Sequence, residues 1–134
     1  MRVKFRAWDK VDKKVRKVMS LDFYNTRESE VTLASDGDVY LRYFEQIELM
    51  QSTGLKDKNG KEIYEGDIVR WKDLESFDDF PIDEVLKVEY SDEFMKWITC
   101  NKNDLQDDLY DFTDNRDLEV IGNIYENPEL LEVE

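Results

Sequence analysis

The sequence predicts a mainly β protein, built as a small barrel or a sandwich, and three observations support this prediction. Segments of alternating apolar and polar residues recur about every 8–12 residues with turn residues between them, as in all-β domains. The stretch Gln51–Lys72 alone contains two turn signals and a strand. The chain of 134 residues is 40% apolar and 13% aromatic, so it has enough core-forming side chains to fold despite its many charges.

Short strands account for most of the first 50 residues. In Met1–Asp9 apolar and basic residues alternate, which predicts a first strand with one buried face. After a turn, Lys14–Met19 is expected to pair back on it as a hairpin. The next strand candidates are Leu21–Tyr24, Val31–Ala34, Val39–Phe44 and Ile47–Met50. In the third of these, Val39, Leu41 and Tyr43 share one face of the strand.

Two turns and a loop organise the middle of the chain. Asn59–Gly60 lies between short polar flanks and predicts a type I′ hairpin turn, in which both residues have positive φ. Glu65–Asp67 is a second turn, and it leads into Ile68–Trp71, a run with high strand propensity. The acidic segment Asp73–Asp83 contains Pro81, so we expect a loop there and not a strand.

The last third predicts three more strands and two short helical segments. The strands are Val85–Tyr90, Phe94–Cys100 and Leu118–Tyr125. Residues 103–112 carry apolar side chains at i, i+4 and i+7 from Leu105, which predicts a short amphipathic helix with Asn103 as its N-cap. Asn127–Glu129 places a proline and an acid in the order typical of a helix start, so a terminal helical turn is expected.

Charge is distributed unevenly along the chain, whose net charge is −14. Residues 1–17 contain eight bases and two acids, whereas residues 73–134 contain four bases and twenty acids. A net field of this sign repels phosphates and anionic lipids, so neither direct nucleic-acid binding nor membrane binding is expected. The uneven charge favours self-association, and we expect a homo-oligomer. The alternative is that the acidity only keeps the protein soluble.

The sequence excludes several kinds of catalytic and metal site. It contains no histidine, so Ser-His-Asp and Cys-His arrangements and histidine-ligated metals are unavailable to it. Its single cysteine, Cys100, excludes an intramolecular disulfide and a multi-thiolate zinc site. No signal peptide or long apolar run is visible, so we expect a cytoplasmic protein.

Three blocks of the sequence resemble the signature blocks of the YopX family. They are Lys4–Asp9 near the start (KFRAWD), Thr53–Val69 in the middle (TGLKDKNGKEIYEGDIV) and Val120–Leu131 at the end (VIGNIYENPELL). Members of this family are small proteins encoded by phages and prophages. The resemblance implies an SH3-like small β-barrel domain. It implies no established biochemical activity and no catalytic or cofactor residues.

Sharper interpretations of the acidic residues have plainer alternatives. Asp57–Glu62 superficially suggests a calcium loop, but its glycine is misplaced for an EF-hand and a hairpin explains it. Four acids would share one face of the predicted helix and could bind a divalent cation, although a solvated face explains them equally; they are Asp104, Asp107, Asp108 and Asp111. A hydrolase with paired carboxylates has no positioned motif to support it. Spaced carboxylates could also imitate the charge of DNA.

The aromatic residues and the cysteine allow two interpretations each. Trp8, Trp71 and Trp97 are expected in the core or at a barrel rim, and a peptide groove formed by Tyr40, Tyr43 or Trp71 is the alternative. Cys100 is expected to be a small buried apolar residue, and a reactive thiol is the alternative.

We therefore predict one YopX-like domain over residues 1–134, mainly β, as a small SH3-like barrel with additional strands and one or two short helices. Residues 20–50 alternatively form an inserted strand layer. The predicted function is that of a non-enzymatic phage or prophage accessory protein that contacts an unknown host or phage protein. The alternative is an acidic DNA mimic that inhibits a host DNA-binding enzyme. We predict no catalytic, cofactor-binding or metal residues and no cofactor.

Overall fold

A computed structural model describes residues 4–22, 29–73, 82–101, 103–110 and 117–132 of the chain. Within these residues the protein is mainly β, with strands joined by short turns. The elements in chain order are β1 (Phe5–Asp9), β2 (Lys14–Asp22), β3 (Glu30–Ser35), β4 (Asp38–Tyr43), the 3₁₀ helix η1 (Phe44–Gln46), β5 (Ile47–Lys56), β6 (Glu62–Tyr64), β7 (Asp67–Asp73), β8 (Ile82–Ser91), β9 (Lys96–Cys100), β10 (Gln106–Asp108), β11 (Asp117–Asn123) and the 3₁₀ helix η2 (Pro128–Glu132).

The strands form two sheets in which every recorded register is antiparallel. One sheet has the strand order β4-β3-β2-β1-β5-β6, and the other has the order β10-β9-β8-β7-β11. Neighbours in each sheet are mostly consecutive in the chain, because short turns connect strands that pair directly. The prediction of a mainly β fold is confirmed.

The first compact unit, Met1–Ser52, has its own apolar core on one face of its sheet. Val31 and Leu33 alternate on β3 and are fully buried, as is Ala7 on β1. Ile47 completes this buried cluster, and partly buried residues pack around it; these are Val18, Leu21, Tyr40, Phe44 and Leu49. Burying one such Val or Leu side chain contributes about 1.5–3 kcal/mol, so the inward face of β3 specifies the register of its neighbours.

The second compact unit, Thr53–Glu134, has a separate core. Its buried members come from four strands and from the helical residue Leu109; they are Ile63, Val69, Leu86, Val88, Leu109, Leu118 and Val120. Leu55, Trp71 and Trp97 pack against this core. The prediction of one domain over residues 1–134 stays a prediction, as does the alternative of an inserted layer at residues 20–50. In the structure β3 and β4 extend the sheet that contains β1 and β2.

The predicted barrel is wrong, because the two sheets do not close into one. Across the described ranges each sheet has a linear strand order, with β4 and β6 ending one sheet and β10 and β11 ending the other. The SH3-like character implied by the family resemblance is therefore not confirmed. The alternation of apolar residues predicts strands and faces, but it does not contain the stagger that closes a sheet.

The predicted turn type at Asn59–Gly60 is also wrong. Gly60 has a positive φ of 79°, but Asn59 is not among the residues with positive φ, as a type I′ turn would require. The N–H of Gly60 donates to the carbonyl of Asp57, which makes a tight turn over residues 57–60 with glycine in its last position. A type I′ turn occurs instead at Asp36–Gly37, whose φ angles are 54° and 85°.

The predicted helix over 103–112 is wrong for residues 103–108. Gln106–Asp108 is strand β10, which pairs with Ile98–Cys100 of β9. Leu105 is exposed, so the helical spacing did not mark a buried stripe. Leu109 and Tyr110 are helical, and residues 111 and 112 lie outside the described residues. Most of the predicted acidic loop, at 74–81, is also outside them, and its two ends belong to β7 and β8. The terminal helical turn is confirmed as η2.

Candidate functional site

The row of apolar side chains on β4 is the candidate site. The turn before β4 sets its register with β3. The type I′ turn at Asp36–Gly37 joins β3 to β4 with Ser35 opposite Asp38. From there the side chains of β4 alternate between faces. Tyr40 points to the core side, where it packs against the buried cluster. Val39, Leu41 and Tyr43 point to the other side and are 62%, 64% and 44% exposed.

The backbone of β4 is also open on one side, because β4 is the last strand of its sheet within the residues that the structure describes. A two-residue turn makes Ser35 and Asp38 a hydrogen-bonded pair, and in antiparallel strands such pairs alternate. The N–H and C=O groups of Val39, Leu41 and Tyr43 therefore point away from β3. The Leu41 carbonyl accepts a bond from Arg42 Nη1 at 2.9 Å, and the Tyr43 N–H donates to Gln46 Oε1 at 2.9 Å.

A buried cluster of charges holds the other face of β4. Asp9 is completely buried, and its Oδ1 accepts from Arg42 Nε at 3.0 Å while its Oδ2 accepts from Arg16 Nε at 3.3 Å. Asp12 Oδ2 accepts from Nη2 of Arg16 at 2.9 Å and from Nη2 of Arg42 at 3.1 Å. The two acids balance the two bases, so the cluster is neutral overall.

The Tyr40 ring completes this cluster. The Cζ atom of Arg16 lies 3.8 Å from the centre of the ring, and that of Arg42 lies 5.5 Å from it. Arginine stacks favourably on aromatic rings, and the planar guanidinium groups keep their carboxylate bonds at the same time. The cluster therefore ties β4 to β2 and to the β1–β2 turn, so the exposed edge of β4 is held in one conformation.

The aromatic residues predicted for a peptide groove lie in different places. Tyr40 and Tyr43 are on opposite faces of β4, and Tyr40 is covered by Arg16. Trp71 belongs to β7 and packs against the core of the second unit. Trp8 and Trp97 lie in β1 and β9, so the three tryptophans come from three strands, as predicted. Of the three groove candidates, Tyr43 is exposed, whereas Tyr40 and Trp71 are half-buried.

The carboxylate proposed for a calcium loop is occupied by backbone amides. Asp57 Oδ1 accepts from the N–H groups of Asn59 at 2.9 Å and Lys61 at 2.8 Å, and Oδ2 accepts from Val120 N–H at 3.0 Å. The four acids of the predicted helix do not share a helical face, since Asp107 and Asp108 lie in β10 and Asp111 is outside the described residues. The described ranges contain no cluster of three His, Cys, Asp or Glu residues suited to a metal ion.

Cys100 is buried, as predicted. Its thiol donates to Glu89 Oε2 at 3.3 Å, and Glu89 also pairs with Lys87. The pKa of Cys100 is raised to about 11, first by burial of the thiol and then by the neighbouring Glu89 carboxylate. The thiolate is the nucleophilic form of cysteine, so this side chain is poorly reactive at neutral pH.

Sequence reasoning missed the structural role of the second and third signature blocks. Asp67 is completely buried and accepts from the Tyr64 N–H at 2.8 Å. Asn123 Oδ1 accepts from the N–H groups of Tyr125 and Glu126, which shapes the turn before η2. Aspartate and asparagine at the start of a turn are a known signal for such bonds, so the Asp57 and Asn123 contacts were open to prediction. The Asp9 contact with Arg42 had no local signal.

Comparison with known proteins agrees with these blocks. The family model described as YopX protein matches residues 4–132. The chain belongs to the YopX family. A solved structure, protein EF1440 from Enterococcus faecalis, is similar to this YopX chain with 28% identity and a TM-score of 0.66. The similarity covers 98% of this chain and 99% of EF1440.

The search of curated proteins gave no match to this YopX protein. Among the residues that the structure describes, no helix is both long enough and apolar enough to cross a bilayer.

Proposed function

We propose that this YopX protein is a non-enzymatic accessory protein of a phage or prophage, which acts in the host cytoplasm by contact with other protein chains. The proposal is supported by two features that occur together on β4, an open strand edge and a row of exposed apolar side chains. A strand with an open edge also carries three exposed apolar side chains, Val39, Leu41 and Tyr43. Natural proteins usually protect such edges with charges, prolines or covering loops, so an exposed apolar edge suggests a contact surface.

The anchoring of β4 supports a binding role for this edge. A partner that adds a strand gains main-chain hydrogen bonds, and the alternate side chains of the edge provide specificity. An edge that is already ordered loses less conformational entropy on binding than a mobile segment. The ion pairs of Arg42 with Asp9 and Asp12 order β4 in the absence of a partner.

The alternative function, an acidic DNA mimic, draws on the net charge of −14. Several acids of the second unit already pair with bases. Asp117 and Glu119 contact Lys58, and Asp83 makes two bonds with Arg70. These pairs reduce the field that the acids present to a basic cleft. We therefore favour the contact surface on β4.

The test is affinity capture with the full chain from host cells, with and without phage growth, followed by reconstitution from purified components. Leu41→Lys is the test variant, and Met95→Lys is its matched control, since Met95 is an exposed apolar residue of the β8–β9 turn. The proposal predicts a reconstituted complex that survives Met95→Lys and is lost with Leu41→Lys.

Two outcomes would contradict this function. A reconstituted complex that is unchanged by Leu41→Lys moves the contact surface away from β4. A complex with a nuclease or polymerase that competes with DNA and dissociates with rising salt favours the DNA mimic, because counterion effects dominate such contacts. Capture of no protein other than the chain itself is a separate result from these two.

A further inference from the structure

We infer that the partner of the β4 edge is a second copy of this chain, bound by antiparallel pairing of the two β4 strands with Val39 opposite the partner's Leu41. This inference deepens the proposed function and rests on it, because it uses the same surface.

The backbone donors and acceptors of two β4 strands match each other in number. The Val39 N–H, the Val39 C=O and the Leu41 N–H point away from β3, and no other described strand pairs with β4 on that side. The Leu41 carbonyl already accepts from Arg42. A carbonyl oxygen has two lone pairs, so it is still able to accept a second bond. Two copies thus offer two donors and two acceptors each.

A two-fold axis perpendicular to the sheet allows two nearby registers. Residues opposite each other share a face, so the axis passes through a residue of β4, and Tyr40 and Leu41 are the two residues nearest the middle of this strand. The register centred on Leu41 places Val39 opposite the partner's Tyr43 and needs the Tyr43 N–H as a donor. That N–H is committed to Gln46 Oε1 and carries only one hydrogen. The register centred on Tyr40 needs only groups that are available.

The side chains of the Tyr40-centred register are complementary on both faces. On the exposed face, Val39 lies opposite the partner's Leu41, which pairs two apolar side chains twice. On the other face, Asp38 lies opposite the partner's Arg42. Asp38 is exposed and makes no ion pair with the residues that the structure describes.

Arg42 retains donors for this contact. Its guanidinium group has five N–H donors, and its recorded bonds to Asp9, Leu41 and Asp12 use three of them. Opposite charges in facing strand positions are favourable, and each of the two copies contributes one such pair. Charge complementarity therefore supports a second copy of β4 as the occupant of this edge.

Sedimentation equilibrium of the full chain over a range of concentrations tests the association. We expect a dimer whose dissociation constant rises at least about tenfold with Val39→Lys or Leu41→Lys, because each change places lysines in the shared apolar row. Met95→Lys, which changes an exposed apolar residue of the second unit, should leave the constant unchanged.

Cysteine cross-linking tests the register. In a Cys100→Ala background, a mixture of Val39→Cys and Leu41→Cys chains should form a mixed disulfide faster than either chain alone, because facing Cα atoms lie about 5.5 Å apart. A Leu41→Cys chain that cross-links fastest with itself would overturn the inference, as it reports the other register. A monomer at all concentrations, or a dimer unaffected by both lysine variants, would also overturn it. A monomer that still binds another protein through Leu41 would leave the proposed function standing.

Discussion

The carboxylate of Asp57 accepts a hydrogen bond at 3.0 Å from the backbone N–H of Val120, which is 63 residues further along the chain. The same carboxylate shapes its own turn through the N–H groups of Asn59 and Lys61. The neighbouring Lys58 N–H donates to the carbonyl of Leu118 at 2.9 Å. One buried acid thus joins the turn after β5 to β11, so the middle and last signature blocks are parts of one structural unit.

Asp57→Asn should destabilise the protein by about 2 kcal/mol, because the change removes a charge-assisted acceptor and turns an amide donor toward a backbone N–H. Urea unfolding followed by tryptophan fluorescence measures this loss. Asp92→Asn is the control, since Asp92 lies exposed in the β8–β9 turn. Equal unfolding midpoints for the two variants would show that the Asp57 contacts contribute nothing measurable.

Asp9→Asn should cost about 3 kcal/mol, because it leaves two buried or nearly buried guanidinium groups with reduced compensation. Asp9 is fully buried, and the side chains of Arg16 and Arg42 are 5% and 14% exposed. Asp36→Asn removes an ion pair with Lys14 at the surface and should leave the unfolding midpoint unchanged. If Asp9→Asn behaves like Asp36→Asn, the cluster does not hold β4.

Gly122→Ala should destabilise the second unit by about 1–3 kcal/mol through overpacking. A Cβ atom at residue 122 would lie 2.5 Å from Asn127 Oδ1. The Asn127 side chain accepts from the Asn123 N–H at 3.3 Å and so takes part in the turn before η2.

A double-mutant cycle isolates this clash. In an Asn127→Ala background, Gly122→Ala should cost less, since the two nearest colliding atoms, Oδ1 and Cγ of Asn127, are gone and its Cβ at 3.0 Å remains. The same cost in both backgrounds would place the defect elsewhere in β11.

Native Cys100 should resist alkylation near neutral pH. With a pKa of about 11, roughly one thiol in a thousand is ionised at pH 8, and the ionised form is the one that reacts. Labelling should accelerate about tenfold per pH unit between pH 8 and 10 as the thiolate fraction rises.

The reference for this labelling is a Leu105→Cys chain in a Cys100→Ala background, because Leu105 is exposed. We expect rapid labelling of that chain at pH 8 and slow labelling of Cys100. If Cys100 were labelled at the reference rate, its side chain would not be buried and the pKa of its thiol would not be raised.

Most strands of this protein could be predicted because alternation with a period of two is a local property. The closing of the sheets could not, because it depends on stagger between distant strands. Residues 103–112 show why local spacing fails. Apolar residues recur there at helical spacing from Leu105, yet Gln106–Asp108 gains a ladder with β9, and pairing with a neighbouring strand overrides a weak local preference.

The candidate site was predictable only in part. The sequence placed Val39, Leu41 and Tyr43 on one face, and the structure confirms this pattern. It did not indicate that this face is exposed, because alternation defines two faces without assigning the core to either. It also gave no sign of the Asp9–Arg42 contact, since these residues are 33 positions apart.

The exchange rates of the Val39 and Leu41 amide hydrogens, measured by NMR at low and high protein concentration, test the central claim most directly. Our account predicts fast exchange for both at low concentration and marked protection at high concentration, because a second β4 strand then accepts their hydrogen bonds. The Tyr40 amide faces β3 and should be protected at both concentrations, which makes it the internal reference. Fast exchange of Val39 and Leu41 at every concentration would contradict the account.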